Sequence, residues 1–187
     1  TSGCDSIRDI PLSRWDVNAY FGEGEGQSYT RHGGFMEGLE MFDAMTFGLG
    51  ATEAKSMDPG QRVLLEIGLD AMLTAGCDRA SLLGSDTSVA VAQTQHDWAW
   101  LSAEVAPTAY TGAGVNAAIS ANRFSYTLGM RGASVVCDTA CSSSLVAVDA
   151  SMAFLQRGRC SSALAAAVNV ILVPWIYAQY CAAHMLS

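Results

Sequence analysis

The residues most able to do chemistry sit in one short stretch, Ser134-Val135-Val136-Cys137-Asp138-Thr139-Ala140-Cys141-Ser142-Ser143-Ser144-Leu145. Its valines read as a strand that stops at Cys137, turns through Asp138-Thr139-Ala140 and enters a helix at Cys141. A strand-to-helix junction puts one side chain at a helix N-terminus, where backbone N–H groups lack partners within the helix. Those donors favour a thiolate, or an oxyanion formed on a bound carbonyl. A helix end supplies about 0.3–1 kcal/mol, up to roughly 2 in good geometry. At about 1.4 kcal/mol per factor of ten in an ionisation constant, that alone does not ionise a thiol at neutral pH. A cysteine so placed is a candidate nucleophile that needs a partner base or cation. The competing reading makes Cys141 a small residue packed at a tight elbow, with Asp138 or Thr139 as the cap.

The elements that position this junction alternate between helix and strand. Asp58-Pro59 opens a helix as N-cap and first residue, with Leu64, Ile67, Ala71 and Ala75 turned inward and Gly76 as the stop. Residues 86–93 read as a strand through Val89 and Val91. A helix over 114–126 carries Val115, Ala118, Ile119 and Asn122 on one face and ends at Gly129. After the strand at 133–137, a helix over 141–157 turns Leu145, Val148, Met152 and Leu155 inward and stops at Gly158. The near-continuous apolar run 163–173 reads as a strand covered on both faces. This alternation predicts an α/β layered fold. The first fifty residues, rich in glycine and aromatics, lack sustained periodicity and read as long surface connections. Within them Gly22-Glu23-Gly24-Glu25-Gly26 is a turn, because its two carboxylates would repel a phosphate.

Composition narrows the function classes. Half of the 187 residues are hydrophobic and 15% are charged, which excludes a disordered acidic tail despite a net charge of −8. Ten scattered basic residues and a pI near 4.6 argue against a nucleic-acid partner. The longest apolar stretch, 163–178, is broken by Asn169 and Pro174 and falls short of the roughly 20 residues of a membrane span. The six cysteines form no C-x-x-C pair and have no histidine at zinc-ligand spacing, so no metal is expected. They read as mostly buried thiols in a reducing compartment, cytoplasm or plastid. The high apolar share implies that part of this chain's surface is covered by something else.

The stretch Asp138-Thr-Ala-Cys-Ser-Ser-Ser-Leu-Val-Ala147 resembles the active-site signature of the β-ketoacyl synthase domains of type I polyketide synthases. The likeness keeps its order along nearly the whole chain. Its other blocks are Arg14-Trp15-Asp16, the run from Tyr29 to Phe35, Phe42-Asp43, Met57-Asp58-Pro59 with Gln61-Arg62, Ser125-Tyr126, and Val168-Asn169-Val170-Ile171-Leu172.

The resemblance implies a thiolase-like layered fold, incomplete here: residues 1–187 as a partial N-terminal ketosynthase domain, without the family's first strand and C-terminal half. It implies that Cys141 takes an acyl chain from an acyl carrier protein. A malonyl-type extender then loses carbon dioxide and its carbanion displaces the cysteine. It further implies that the N–H of Cys141 is one oxyanion donor. The strand before Cys141, 133–137, would pair across a homodimer. No resident cofactor is implied; the carrier's phosphopantetheine arrives with the substrate. The family's two catalytic histidines lie beyond its cysteine, one before Gly-Thr and one after Gly. His32, His96 and His184 stand in neither context, so the segment alone should not condense. His32 is expected to pack, His96 to be solvated, and His184 to be structural or at the surface. Arg157 and Arg159 are either a local carrier-docking patch or ordinary charges at a helix end. Two other functions stay open: a non-catalytic binding or dimerisation module, and a thiolase acting on coenzyme A esters.

Overall fold

The structure, a computed structural model describing residues 3–94 and 97–186, divides into two units. The first comprises 1–38 and 171–187, and the second 39–170. In the first, β1 (Arg8–Asp9) pairs antiparallel with β2 (His32–Gly33). The second holds α1 (Ala51–Ser56), α2 (Pro59–Thr74), α3 (Arg79–Leu82), β3 (Ser88–Gln93) and α4 (Asp97–Ser102). It continues through α5 (Thr111–Val115), α6 (Ala118–Leu128), β4 (Ser134–Cys137), a 3-10 turn at Ala140–Ser142, α7 (Ser143–Gln156) and β5 (Ala163–Val168). The chain then returns to the first unit with α8 (Trp175–Ala182).

In the larger unit three strands run parallel in the order β4-β3-β5. All six residues of the central β3 are buried. Because side chains alternate across a strand, Val89 and Val91 meet Leu64, Leu65 and Leu69 of α2 and Phe124 of α6 on one face. Ala90 and Ala92 meet Ala147 of α7 on the other. The expected α/β layering is thus present, with helices on both faces of a parallel sheet. It is β3, however, that is covered on both faces. The run expected as strand 163–173 pairs only over Ala163–Val168, and alternate residues there, Ala165 and Ala167, are exposed, so one face of β5 is open.

The inward faces differ from the expected ones in a consistent way. On α2 the buried residues are Gln61, Leu64, Leu65, Gly68, Leu69 and Met72, while Ile67 is 60% exposed. Gly68 lies inward because the Phe124 ring comes to 2.4 Å of where a Cβ would stand. The helix expected over 114–126 is broken at Asn116–Ala117, and α6 buries Ser120, Ala121, Arg123, Phe124, Ser125 and Leu128 rather than Ala118 and Asn122. On α7 the buried residues are Ser143, Ala147 and Ser151, and Leu145 is 73% exposed, with Val148, Met152 and Leu155 also outward. The sheet face beneath α7 presents Ala90 and Ala92, so the helix comes closest by its small residues. Its large apolar side chains form the stripe that composition led us to expect would need a cover.

A buried polar network fixes the far side of the sheet. Asp58 caps α2, accepting from the Gly60 N–H at 2.6 Å and from Gln93 Nε2 at 3.2 Å, while Ser120 donates to Gln93 Oε1. Gln61 Nε2 donates to the carbonyls of Ala113, Gly114 and Asn116, and Arg123 joins Gln61 Oε1 to Glu53. Burial pushes the Asp58 carboxyl up, against the Gly60 N–H and Arg62, with nearby Asp97 pushing it further and Gln93 opposing.

The smaller unit is organised by rings. Trp15, Phe35 and Tyr177 pack with centroids 5.6–6.1 Å apart. Gly33 leaves the room they need: an added Cβ would stand 2.1 Å from the Tyr177 hydroxyl. The packing role expected of His32 therefore belongs to its neighbour. The His32 ring is exposed, with Nε2 3.1 Å from an Asp9 carboxylate oxygen.

Two outcomes follow for stability. At Gly114 a Cβ would lie 1.9 Å from the Ser56 carbonyl oxygen, a backbone atom that cannot step aside. Gly114→Ala should cost about 1–3 kcal/mol or more, read as a lowered urea midpoint. The folded chain holds the Asp58 proton more tightly than the unfolded chain does. Stability should therefore fall as pH rises from the ordinary value of 3.8 through the raised folded one. Asp58→Asn, which keeps the cap, should flatten that fall in urea titrations repeated across the interval.

Candidate active site

The junction singled out by its residue types is a sharp elbow at one end of the parallel sheet. Register sets Ala92 beside Cys137 and Gln93 beside Val168, so the three strands finish at one level. In open α/β sheets that carboxyl edge is where ligands bind. Beyond Cys137 the chain takes two residues, then a 3-10 turn, then α7. Cys141, the expected first residue of the helix, lies inside the 3-10 turn, two residues ahead of the observed α-helical start at Ser143. Tighter winding is common at helix entrances and still leaves first-turn N–H groups facing out.

The turn is strained. Ala140 holds φ +54°, one of two non-glycine residues with positive φ among those described. A left-handed L-residue costs about 1–2 kcal/mol. Hydrogen bonds on each side oppose that cost. The Asp138 carboxylate accepts from the Ala140 N–H at 3.1 Å, so Asp138 does cap this turn. Ser142 Oγ donates to the Thr139 carbonyl at 2.9 Å. Buried Ser143 accepts from the Thr139 N–H at 2.7 Å and donates to the Ala140 carbonyl at 2.7 Å. The result is an exposed, unpaired thiol at Cys141. Two and three residues on, Ser143 and Ser144 line a cavity of about 200 Å³ together with Gln93, Thr94, Val168 and Asn169, among others.

The other expected residues are placed as follows. His184 is exposed just beyond α8, at φ +54°. His96 lies outside the described residues. Among the described residues no histidine belongs to the unit that carries Cys141. Arg157 and Arg159 are exposed at the end of α7. The six thiols are all free, but only Cys160 and Cys181 are buried, fewer than expected. Among the described residues no three His, Cys, Asp or Glu side chains gather as a metal site, and no helix is long and apolar enough to cross a membrane. Reading the sequence missed Ser143 and the left-handed Ala140. A run of three serines distinguishes its members only once the helix phase is known, and alanine carries no signal for positive φ.

Comparison with known proteins gives the family. A polyketide synthase of Streptomyces halstedii, GfsA, is 39% identical over 184 residues, 95% of this chain and 2% of that protein. Fumosorinone synthetase of Cordyceps fumosorosea is 41% identical over 177 residues, 91% of this chain and 4% of that protein. The ketosynthase from module 6 of the Bacillus subtilis bacillaene synthase superposes with a TM-score of 0.83 at 32% identity, over 97% of this chain and 30% of that one. An oxazolomycin ketosynthase domain of Streptomyces albus gives 0.88 at 32%, over 97% and 33%. The chain thus spans a small share of the curated relatives and about a third of the solved ketosynthase chains. The model of the β-ketoacyl synthase N-terminal domain matches residues 1–187, and with that match the chain belongs to the β-ketoacyl synthase family.

Proposed function

We propose that Cys141 is the acyl-accepting nucleophile of a polyketide-type ketosynthase, residues 1–187 being part of its N-terminal domain. The observation that carries this reading is an exposed thiol on a strained elbow, in a chain that matches that family from end to end. Cys141 Sγ, as thiolate, attacks the thioester carbonyl of an acyl chain on an acyl carrier protein. The tetrahedral oxyanion faces the N–H of Cys141. Collapse expels the carrier's pantetheine thiolate and leaves an acyl-cysteine.

In the second half-reaction a malonyl-type extender loses carbon dioxide. Its carbanion attacks the acyl-cysteine carbonyl, and Sγ departs. The carrier then holds a β-ketoacyl chain two carbons longer. Proton handling for these steps is the work of the family's two histidines, which His32, His96 and His184 do not match in context. No resident cofactor is called for, since the phosphopantetheine comes with the substrate. The free edge of β4 supports pairing with a second copy, and six free thiols accord with a reducing cytoplasm.

In the full-length protein, Cys141→Ala should abolish the mass gain after exposure to an acyl-pantetheine thioester and leave the circular dichroism unchanged. Equal labelling of wild type and variant would overturn the assignment. Loading from coenzyme A esters but not from acyl carrier protein would point to a thiolase instead.

A further inference from the structure

We propose that Ser143 is a positioning residue for Cys141: one buried hydroxyl that locks the left-handed turn and thereby aims the thiol and its N–H. The proposal rests on the reading of Cys141 as acyl acceptor. Of the three consecutive serines, Ser143 alone is buried, at 4% exposure. A hydroxyl has one proton to give and two lone pairs. Ser143 gives its proton to the Ala140 carbonyl and takes the Thr139 N–H, each at 2.7 Å. Both contacts are commitments to backbone, on either side of the peptide that precedes Ala140. The Ser143 N–H also bonds the Ala140 carbonyl, so that oxygen is held from two directions by one residue.

The residue thus held is the one that resists its conformation. Ala140 at φ +54° directly precedes Cys141, and an L-residue prefers to leave that region. If Ala140 relaxed toward negative φ, the peptide joining it to Cys141 would rotate, carrying the N–H and the Cα–Cβ bond of the cysteine with it. Ser142 does not replace the clamp, because its Oγ contacts only the carbonyl and hydroxyl of Thr139. Ser143 is seated by the seam it shares with Ala147 and Ser151, so its own position does not depend on the turn.

The test uses the full-length protein and two readouts: the rate of Cys141 acylation by an acyl-pantetheine thioester, and the pH profile of Cys141 alkylation by iodoacetamide, followed by peptide mass. Ser143→Ala should lower kcat for acylation about 10- to 100-fold, the scale of a misaimed nucleophile, with KM within about twofold. Its alkylation midpoint should move to higher pH, because the misaimed thiolate leaves the positive end of α7. Ser143→Thr keeps the hydroxyl, so it should stay within about threefold of wild type.

Glycine tolerates positive φ without a clamp. In the A140G background Ser143→Ala should therefore cost less than about threefold. A Ser143→Ala loss of equal size in both backgrounds would make Ser143 a packing residue and overturn the proposal, as would an effect confined to KM. Should Ser143→Ala fail to fold, A140G against A140G/S143A carries the comparison, and a tenfold or larger gap there would overturn it. If no thioester acylates wild type yet the alkylation midpoint moves as stated, the acyl-acceptor reading falls while the positioning role stands.

Discussion

Close approach between α7 and the sheet is the constraint on which the rest depends. Ala90 and Ala92 face Ala147, and the helix seats itself by Ser143, Ala147 and Ser151, four residues apart. Interiors pack to near-crystalline density, so small residues on both sides bring the helix axis in rather than leave a gap. A helix that close to its preceding strand must be entered through a short turn. Here two residues and one 3-10 turn suffice, at the expense of a left-handed alanine. The exposed thiol, the outward apolar stripe and the buried serine hydroxyl are consequences of one seam.

The opposite face obeys a different rule. There the sheet meets α2 and α6 through large side chains, and Phe124 needs the missing Cβ of Gly68. Polar groups trapped at its edge are paired in sequence, Ser120 to Gln93 to Asp58, and Arg123 to Gln61. Buried polar groups are costly unless satisfied, so this network fixes how β3, α2 and α6 meet. Gln93 ends β3 and lines the cavity beside the elbow, which ties that network to the site.

Much of this was legible in the sequence. Asp58-Pro59 announced a helix start and Gly129 a helix end, and both hold because capping is local chemistry. The strand-turn-helix junction was legible for the same reason, and the family blocks gave the thiolase-like architecture. Inward faces were not legible. On α7 apolar residues surround the helix, and what decides its inside is the alanine face supplied by strands elsewhere in the chain. The same holds for Gly68, where hydropathy points to Ile67 and the Phe124 ring decides otherwise. His32 misled because its block is kept by Gly33 and the rings around it, while the imidazole faces out.

The central position of β3 has a consequence in time. Both of its partners come later in the chain, starting at Ser134 and Ala163, and parallel pairing cannot precede them. At about 5–20 residues per second of synthesis, β3 waits several seconds before β5 is made. Until β4 is made the strand has two unsatisfied edges, and until β5 is made it has one, while sequence-distant pairing is slow once it begins. The elbow lies between β4 and β5, and the α7 helix that seats Ser143 has its sheet face complete only when β5 joins. The Cys141 thiol, two residues before α7, then takes its final place late in folding, as the last strand of the sheet is added.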